Sequence, residues 1–95
     1  MTTEIIRYHV AADQAEAFQA AYHAAGEILD RSPDCHGYEI LRGVEEPNRF
    51  LVIIRWTSVE RHLEGFRKSS DFPPFFALVK PFFSAIEEMK HYEGA

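Results

Sequence analysis

The segment RFLVIIRW, residues 49 to 56, is almost continuously apolar, β-branched at Val52, Ile53 and Ile54, and closed by the single Trp of the chain. A strand with one buried face alternates apolar with polar residues. Here Phe50, Val52, Ile54 and Trp56 share one face, while Leu51 and Ile53 occupy the other, so both faces need cover. In a chain of 95 residues, helices can cover one of them. The second face calls for another copy of the chain. A doubly covered sheet in a small homodimer can also enclose a pocket.

The length corresponds to one domain spanning residues 1–95. A chain of this size buries roughly 60–65% of its unfolded surface, so its core is feasible but modest. Eight Phe and a 46% hydrophobic content point to an aromatic-rich interior. The formal charge of −5 argues against nucleic acid as a partner, because phosphate binding needs a basic surface. No run of ~18 apolar residues offers a membrane span. The start, MTTEIIRYHV, lacks the basic segment and long apolar block of a signal peptide. The single Cys35 excludes an intramolecular disulfide and fits a reducing cytoplasm, and it reads as an ordinary turn residue.

Along the chain, EIIRYHV (residues 4 to 10) forms a first strand, with Ile6, Tyr8 and Val10 on one face. Asp13 and Glu16 have capping-box spacing. The Ala-rich helix that follows, to about Asp30, carries Phe18, Tyr22, Ala25 and Leu29 as one stripe. Ser32-Pro33-Asp34 stops it. A strand over about 36–44, the polar turn Glu45-Glu46-Pro47-Asn48 and the RFLVIIRW strand make a hairpin. Thr57 and Glu60 form a second capping box, before a helical face of Val59, His62, Leu63 and Phe66. A further helix starts at Ser70 or Asp71 and ends at Pro81, and residues 82–93 read as the last strand. The order predicts an α+β, ferredoxin-like βαββαβ fold: a four-stranded antiparallel sheet with both helical segments on one face.

The runs SPDCHGYEILRGVEEPNRFLVIIRWTSVERH, FRKSSDFPPFF and KHYE resemble the antibiotic biosynthesis monooxygenase family. The likeness covers nearly the whole chain. Its recognisable pieces are Pro33 to Tyr38, the strand ending in Trp56 with Thr57-Ser58 after it, His62 on the next helix, and Phe72 after Ser70-Asp71. The resemblance implies a dimeric α/β barrel, in which two ferredoxin-like sheets pack face to face. Some members oxidise polyphenols or quinols without metal or flavin, others degrade haem, and many have no known reaction. Architecture is therefore fixed better than chemistry.

Oxygenation without a cofactor needs an electron-rich substrate that can lose a proton, an apolar pocket that excludes water, and a proton acceptor. Trp56 matches the family pocket best, with core packing as its alternative role. His62 is the candidate base, unless it is only a satisfied core histidine. Tyr8, Tyr22 and Tyr38 fall on inward positions and could hydrogen-bond a phenolic oxygen. Phe66, Phe72 and Phe76, with Phe18 and Phe75, make either ordinary core or an aromatic wall around a small aromatic ligand. His9 and His91 lie on the first and last strands and are expected to face each other on the dimer side, near Arg7, Arg55 and Glu39. Two such His could hold a metal, but no third ligand suggests itself. His23 and His36 are surface residues.

Departures from the family pattern limit what carries over. The polyketide-oxidising members have an Asn four residues before the strand Trp, where this chain has Val52; their Tyr on the following helix corresponds to His62. The haem-degrading members use an Asn, a Trp and a His where this chain has Arg7, Phe66 and Phe76, so that set is missing. Two functions stay open: a cofactor-independent monooxygenase with no metal or flavin, acting on a phenol, quinol or polyketide-like substrate, and a non-catalytic dimeric barrel that binds a small apolar ligand or serves a stress response.

Overall fold

A computed structural model describes residues 1–95. Strands β1 (Thr2–His9), β2 (Cys35–Arg42), β3 (Arg49–Trp56) and β4 (Ile86–Tyr92) form one antiparallel sheet in the order β2-β3-β1-β4. Helix α1 (Ala15–Arg31) follows β1, and α2 (Phe72–Val79) precedes β4. This is the expected ferredoxin-like plan. No helix is long and apolar enough to cross a membrane.

Alternation along β1 and β3 decides which side of the sheet the helices cover. Thr2, Glu4, Ile6 and Tyr8 are buried on one side of β1, and Phe50, Val52, Ile54 and Trp56 on the matching side of β3. Phe18, Tyr22, Ala25 and Leu29 of α1 are almost wholly buried against this layer, as their spacing predicted. Each aromatic or aliphatic side chain so buried contributes about 1.5–3 kcal/mol. Leu51 and Ile53, on the other side of β3, remain half-buried. Two glycines are required locally, for different reasons. At Gly26 an added Cβ would collide with the Tyr38 ring, so α1 lies directly on β2 there. Gly37 has a φ of +142° at a bulge opposite Arg55, a conformation that a side chain disfavours.

Several local expectations need correction. Asp13 makes no cap. Ala12–Gln14 form a short 3-10 turn that leads into α1, whose N-cap is Gln14. Thr57 makes no cap either: its hydroxyl bonds the His36 ring at 2.7 Å, and the Ser58 hydroxyl accepts the Arg61 N–H at 3.0 Å. Of the four residues expected on the next helical face, His62 and Phe66 are buried, Leu63 is half-buried and Val59 is exposed. The reason is a widened π-helical turn at Arg61–Gly65, a kind of irregularity that recurs at functional sites. The second strand stops at Arg42 rather than 44. Pro81 does not end the helical region; it opens a 3-10 segment, Lys80–Ala85, where its missing N–H costs nothing. Phe82 lies in that segment, packed edge-on against Phe18 at 5.4 Å, and β4 starts only at Ile86.

His9 and His91 do not face each other. Antiparallel partners directly opposite each other share a face. His91 is opposite Glu4, on the helix-covered side, whereas His9 is opposite Arg49 on the uncovered side. The uncovered side also carries Ile5, Leu51 and Ile53, framed by ion pairs Arg55–Glu39 at 2.8 Å and Arg7–Glu88 at 3.7 Å.

Candidate active site

A cavity of about 270 Å³ lies between the sheet and the helical segments. Its floor comes from β1 and β3 (Glu4, Ile6, Tyr8, Ile54, Trp56), and its roof from the π turn and α2 (His62, Phe66, Phe72, Phe75, Phe76). Arg67, Phe83 and Met89 also line it and are exposed, so they mark its mouth. Trp56, His62, Tyr8, Tyr22, Phe66, Phe72 and Phe76 all meet here. Tyr38 does not line this cavity; it packs against Gly26 of α1, over the edge strand β2.

The aromatic wall is built by contacts among neighbours. Phe66 sits 5.0 Å from Trp56 and meets Phe75 edge-on at 5.2 Å, while Phe72 stacks on Phe76 at 5.5 Å. His62 lies flat on Trp56, with ring centroids 4.3 Å apart and planes 9° from parallel. Stacks of this kind stabilise by about 0.5–1.5 kcal/mol beyond burial and fix both rings. The turn that presents His62 is anchored by Arg61, whose guanidinium grips the buried Asp34 carboxylate at 2.8 and 3.0 Å.

Polar groups concentrate at the Trp56 end. The Trp56 indole N–H donates to Glu4 Oε1 at 3.0 Å. Glu4 is 2% exposed, and burial pushes its carboxyl up, with the indole N–H and the Arg67 charge offsetting only part of this. His62 Nε2 stands 3.7 Å from the same oxygen, too far for a hydrogen bond. His62 Nδ1 meets His91 Nε2 at 2.8 Å. Burial first, then the Arg67 and His91 charges, push His62 down to about 3, so its ring is neutral at neutral pH and its approach to Glu4 is not an ion pair. Burial and Arg67 also lower His91.

The Tyr8 and Tyr22 hydroxyls bond each other at 2.5 Å. Burial pushes Tyr8 up to about 12 and Tyr22 up as well, so both stay protonated and can orient a ligand oxygen but not remove its proton. Burial likewise pushes the Cys35 thiol up, away from the reactive thiolate. Glu4, His62 and His91 offer ligand atoms within 4.8 Å of one another, so of the pair His9 and His91 only His91 belongs to a group that could hold a metal. A tetrahedral ion with bonds of ~2.0–2.1 Å would hold two imidazole nitrogens about 3.3 Å apart. The two histidines instead meet at hydrogen-bond distance, so a metal would have to open that contact.

Glu4 is the site residue that the sequence reading passed over, and His91 is one that it assigned to the opposite face of the sheet. The signal for Glu4 was present: it lies two residues before Ile6, on the inward face of β1. His91 could be placed only once the β1–β4 register was known.

Comparison with known proteins agrees with this architecture. Over 93 residues, 98% of each chain, the sequence is 25% identical to YczJ of Bacillus subtilis (strain 168), a protein of uncharacterised function. A crystal structure from Bordetella bronchiseptica, described as an antibiotic biosynthesis monooxygenase on assignment only, superposes with a TM-score of 0.85 at 28% identity, covering 99% of this chain and 96% of that one. SnoaB of Streptomyces nogalater, a cofactor-independent oxygenase, has the same fold, with a TM-score of 0.79 at 18% identity over 98% and 91% of the two chains. The antibiotic biosynthesis monooxygenase profile matches residues 1–78, and the chain belongs to that family.

Proposed function

We propose that this protein is a cofactor-independent monooxygenase of small, electron-rich dihydroxyaromatic or anthrone-like substrates, working as a homodimer. The supporting observation is the aromatic cavity closed at one end by a neutral His62 stacked on Trp56. Its volume lies just below the ~300–1,000 Å³ common for ligand sites, which suits a small ring system. In the dihydroxyaromatic case, His62 takes a hydroxyl proton. The electron-rich ring then gives one electron to dioxygen, and the two radicals join through a new C–O bond. The peroxide takes a proton back and its O–O bond breaks as the ring carbon loses its hydrogen. The sum is dihydroxyaromatic plus dioxygen to hydroxyquinone plus water, with no external reductant. Arg67 at the mouth favours the anionic substrate, and the Phe walls exclude water.

The homodimer is inferred from the half-buried Leu51 and Ile53 on the uncovered sheet face, which a second sheet would bury. The lone thiol suits the reducing cytoplasm. SnoaB, a cofactor-independent oxygenase of the same fold, supports the class of reaction. One observation favours the competing reading, a ligand-binding barrel without turnover: both ring nitrogens of His62 face protein groups.

Oxygen uptake with a dihydroxynaphthalene decides between them. Uptake by colourless protein free of flavin, haem and stoichiometric metal, reduced in Trp56→Phe with the dimer intact, is the expected result. Saturable binding of such compounds without uptake would leave the binding role.

A further inference from the structure

We propose that His62 and His91 form a two-imidazole relay, in which His91 carries the proton that His62 takes from the substrate and hands it back later in the same turnover. The inference rests on the oxygenase reading and adds a residue and a direction to it.

The geometry is specific. His62 Nδ1 and His91 Nε2 are 2.8 Å apart, so one of these nitrogens donates to the other. His62 is 4% exposed and clamped on Trp56, whereas His91, on β4, is half-buried. The charged and titratable groups around them are Glu4 on β1 and Arg67 after the π turn. A proton left on His62 would be a buried charge next to Arg67, which its depressed basicity reflects. A base of that kind accepts a proton poorly unless it passes one on.

At the start, His62 Nδ1–H donates to His91 Nε2, and His62 Nε2 keeps a lone pair on the Glu4 side, where the cavity begins. A substrate hydroxyl gives its proton to His62 Nε2 while Nδ1–H passes to His91 Nε2. The positive charge then rests on the half-exposed ring, nearer bulk water than a charge locked under Trp56. After dioxygen has been reduced to the peroxide, each proton moves back, His62 Nε2–H goes to the peroxide oxygen, and the pair ends as it began. Nothing is consumed beyond substrate and dioxygen.

His91→Gln separates carrying from holding. The Gln amide oxygen can still accept from His62 Nδ1–H and keep that ring and its tautomer in place, but it cannot take up a proton. Turnover is expected to fall about 10²-fold in both His91→Gln and His91→Ala, with KM changed by less than about three-fold. Added imidazole should recover part of the rate in His91→Ala only. Nitrogen NMR of the resting wild-type protein should find a proton shared between His62 Nδ1 and His91 Nε2, a result independent of any substrate. Wild-type turnover in His91→Gln would overturn the relay and leave His91 as a prop. Absence of a shared proton would overturn it too, as would a divalent ion that both histidines bind and turnover requires. If no quinol is oxidised while the shared proton is present, it is the oxygenase reading that fails, and the relay with it as a catalytic device.

Discussion

The two faces of this sheet solve opposite problems. The helix-covered face is apolar over most of its length, with Ile6, Tyr8, Phe50, Val52, Ile54 and Trp56, yet at one end it buries the Glu4 carboxylate beneath His62 of the π turn. The uncovered face has an apolar centre, Ile5, Leu51 and Ile53, but fences it with exposed ion pairs. Buried polar groups are costly, whereas exposed ion pairs contribute little, about 0–1 kcal/mol. The covered face therefore spends stability where its cavity lies, and the uncovered face keeps its apolar area for packing. On the proposed function, the first pattern serves chemistry and the second assembly.

The largest expected effect tests the covered face. His62→Ala should lower turnover by roughly 10²–10⁴-fold, with substrate binding little changed. It also removes the Trp56 stack, so melting must be measured alongside oxygen uptake. A lower melting temperature with turnover per folded dimer intact would make His62 a packing residue.

Next comes the uncovered face. Ile53→Asp would place a charge in each half of a two-fold interface, costing at least about 2 kcal/mol per protomer, or about 4 kcal/mol and roughly 10³-fold in dimer affinity. Light scattering should change from twice the 11.0 kDa chain mass toward the monomer. A wild type that is already monomeric at micromolar concentration would remove the assembly role from this face.

How much of this contrast could be read from sequence differs by level. The two-sided pattern of residues 49–56 located β3 and its double need for cover, because the period-two rule acts within a single strand. Phe66, Phe72 and Phe76 reached the cavity as expected. Tyr38 did not, because a bulge at Gly37 and the absent side chain of Gly26 direct it under α1. The Glu4–His62–His91 cluster joins residues 58 and 29 positions apart, and only the register of β1 against β4 and the π turn bring them together. Neither a non-local register nor a π turn leaves a periodic trace in sequence.

A third test uses pH. Burial depresses His62 to about 3 in the folded protein, against ~6.5 when unfolded. A depressed folded value means stability that is fully present above ~6.5 and lost as pH falls toward 3, because the unfolded chain binds the proton more readily. The loss should be roughly a few kcal/mol, read as a falling denaturation midpoint between pH 7 and 4. His62→Phe should flatten that slope. An equal slope in the variant would assign the acid sensitivity to the carboxylates instead.

The smallest effect has the opposite sign and concerns Glu4. Burial raises its carboxyl in the folded state, so its ionised form opposes folding. Stability linked to this group is present below its unfolded value, ~4.3, and is lost as pH rises through the folded value. Glu4→Gln keeps an oxygen for the Trp56 N–H, now 3.0 Å away, and removes the charge. At pH 7 the variant should therefore be the more stable of the two and melt at the higher temperature. At pH 4, where the wild-type carboxyl is protonated, the two proteins should melt together. A wild type that retained the lower melting temperature at pH 4 would mean that the cost is one of shape rather than charge. The contrast between the two faces would then rest on His62 alone.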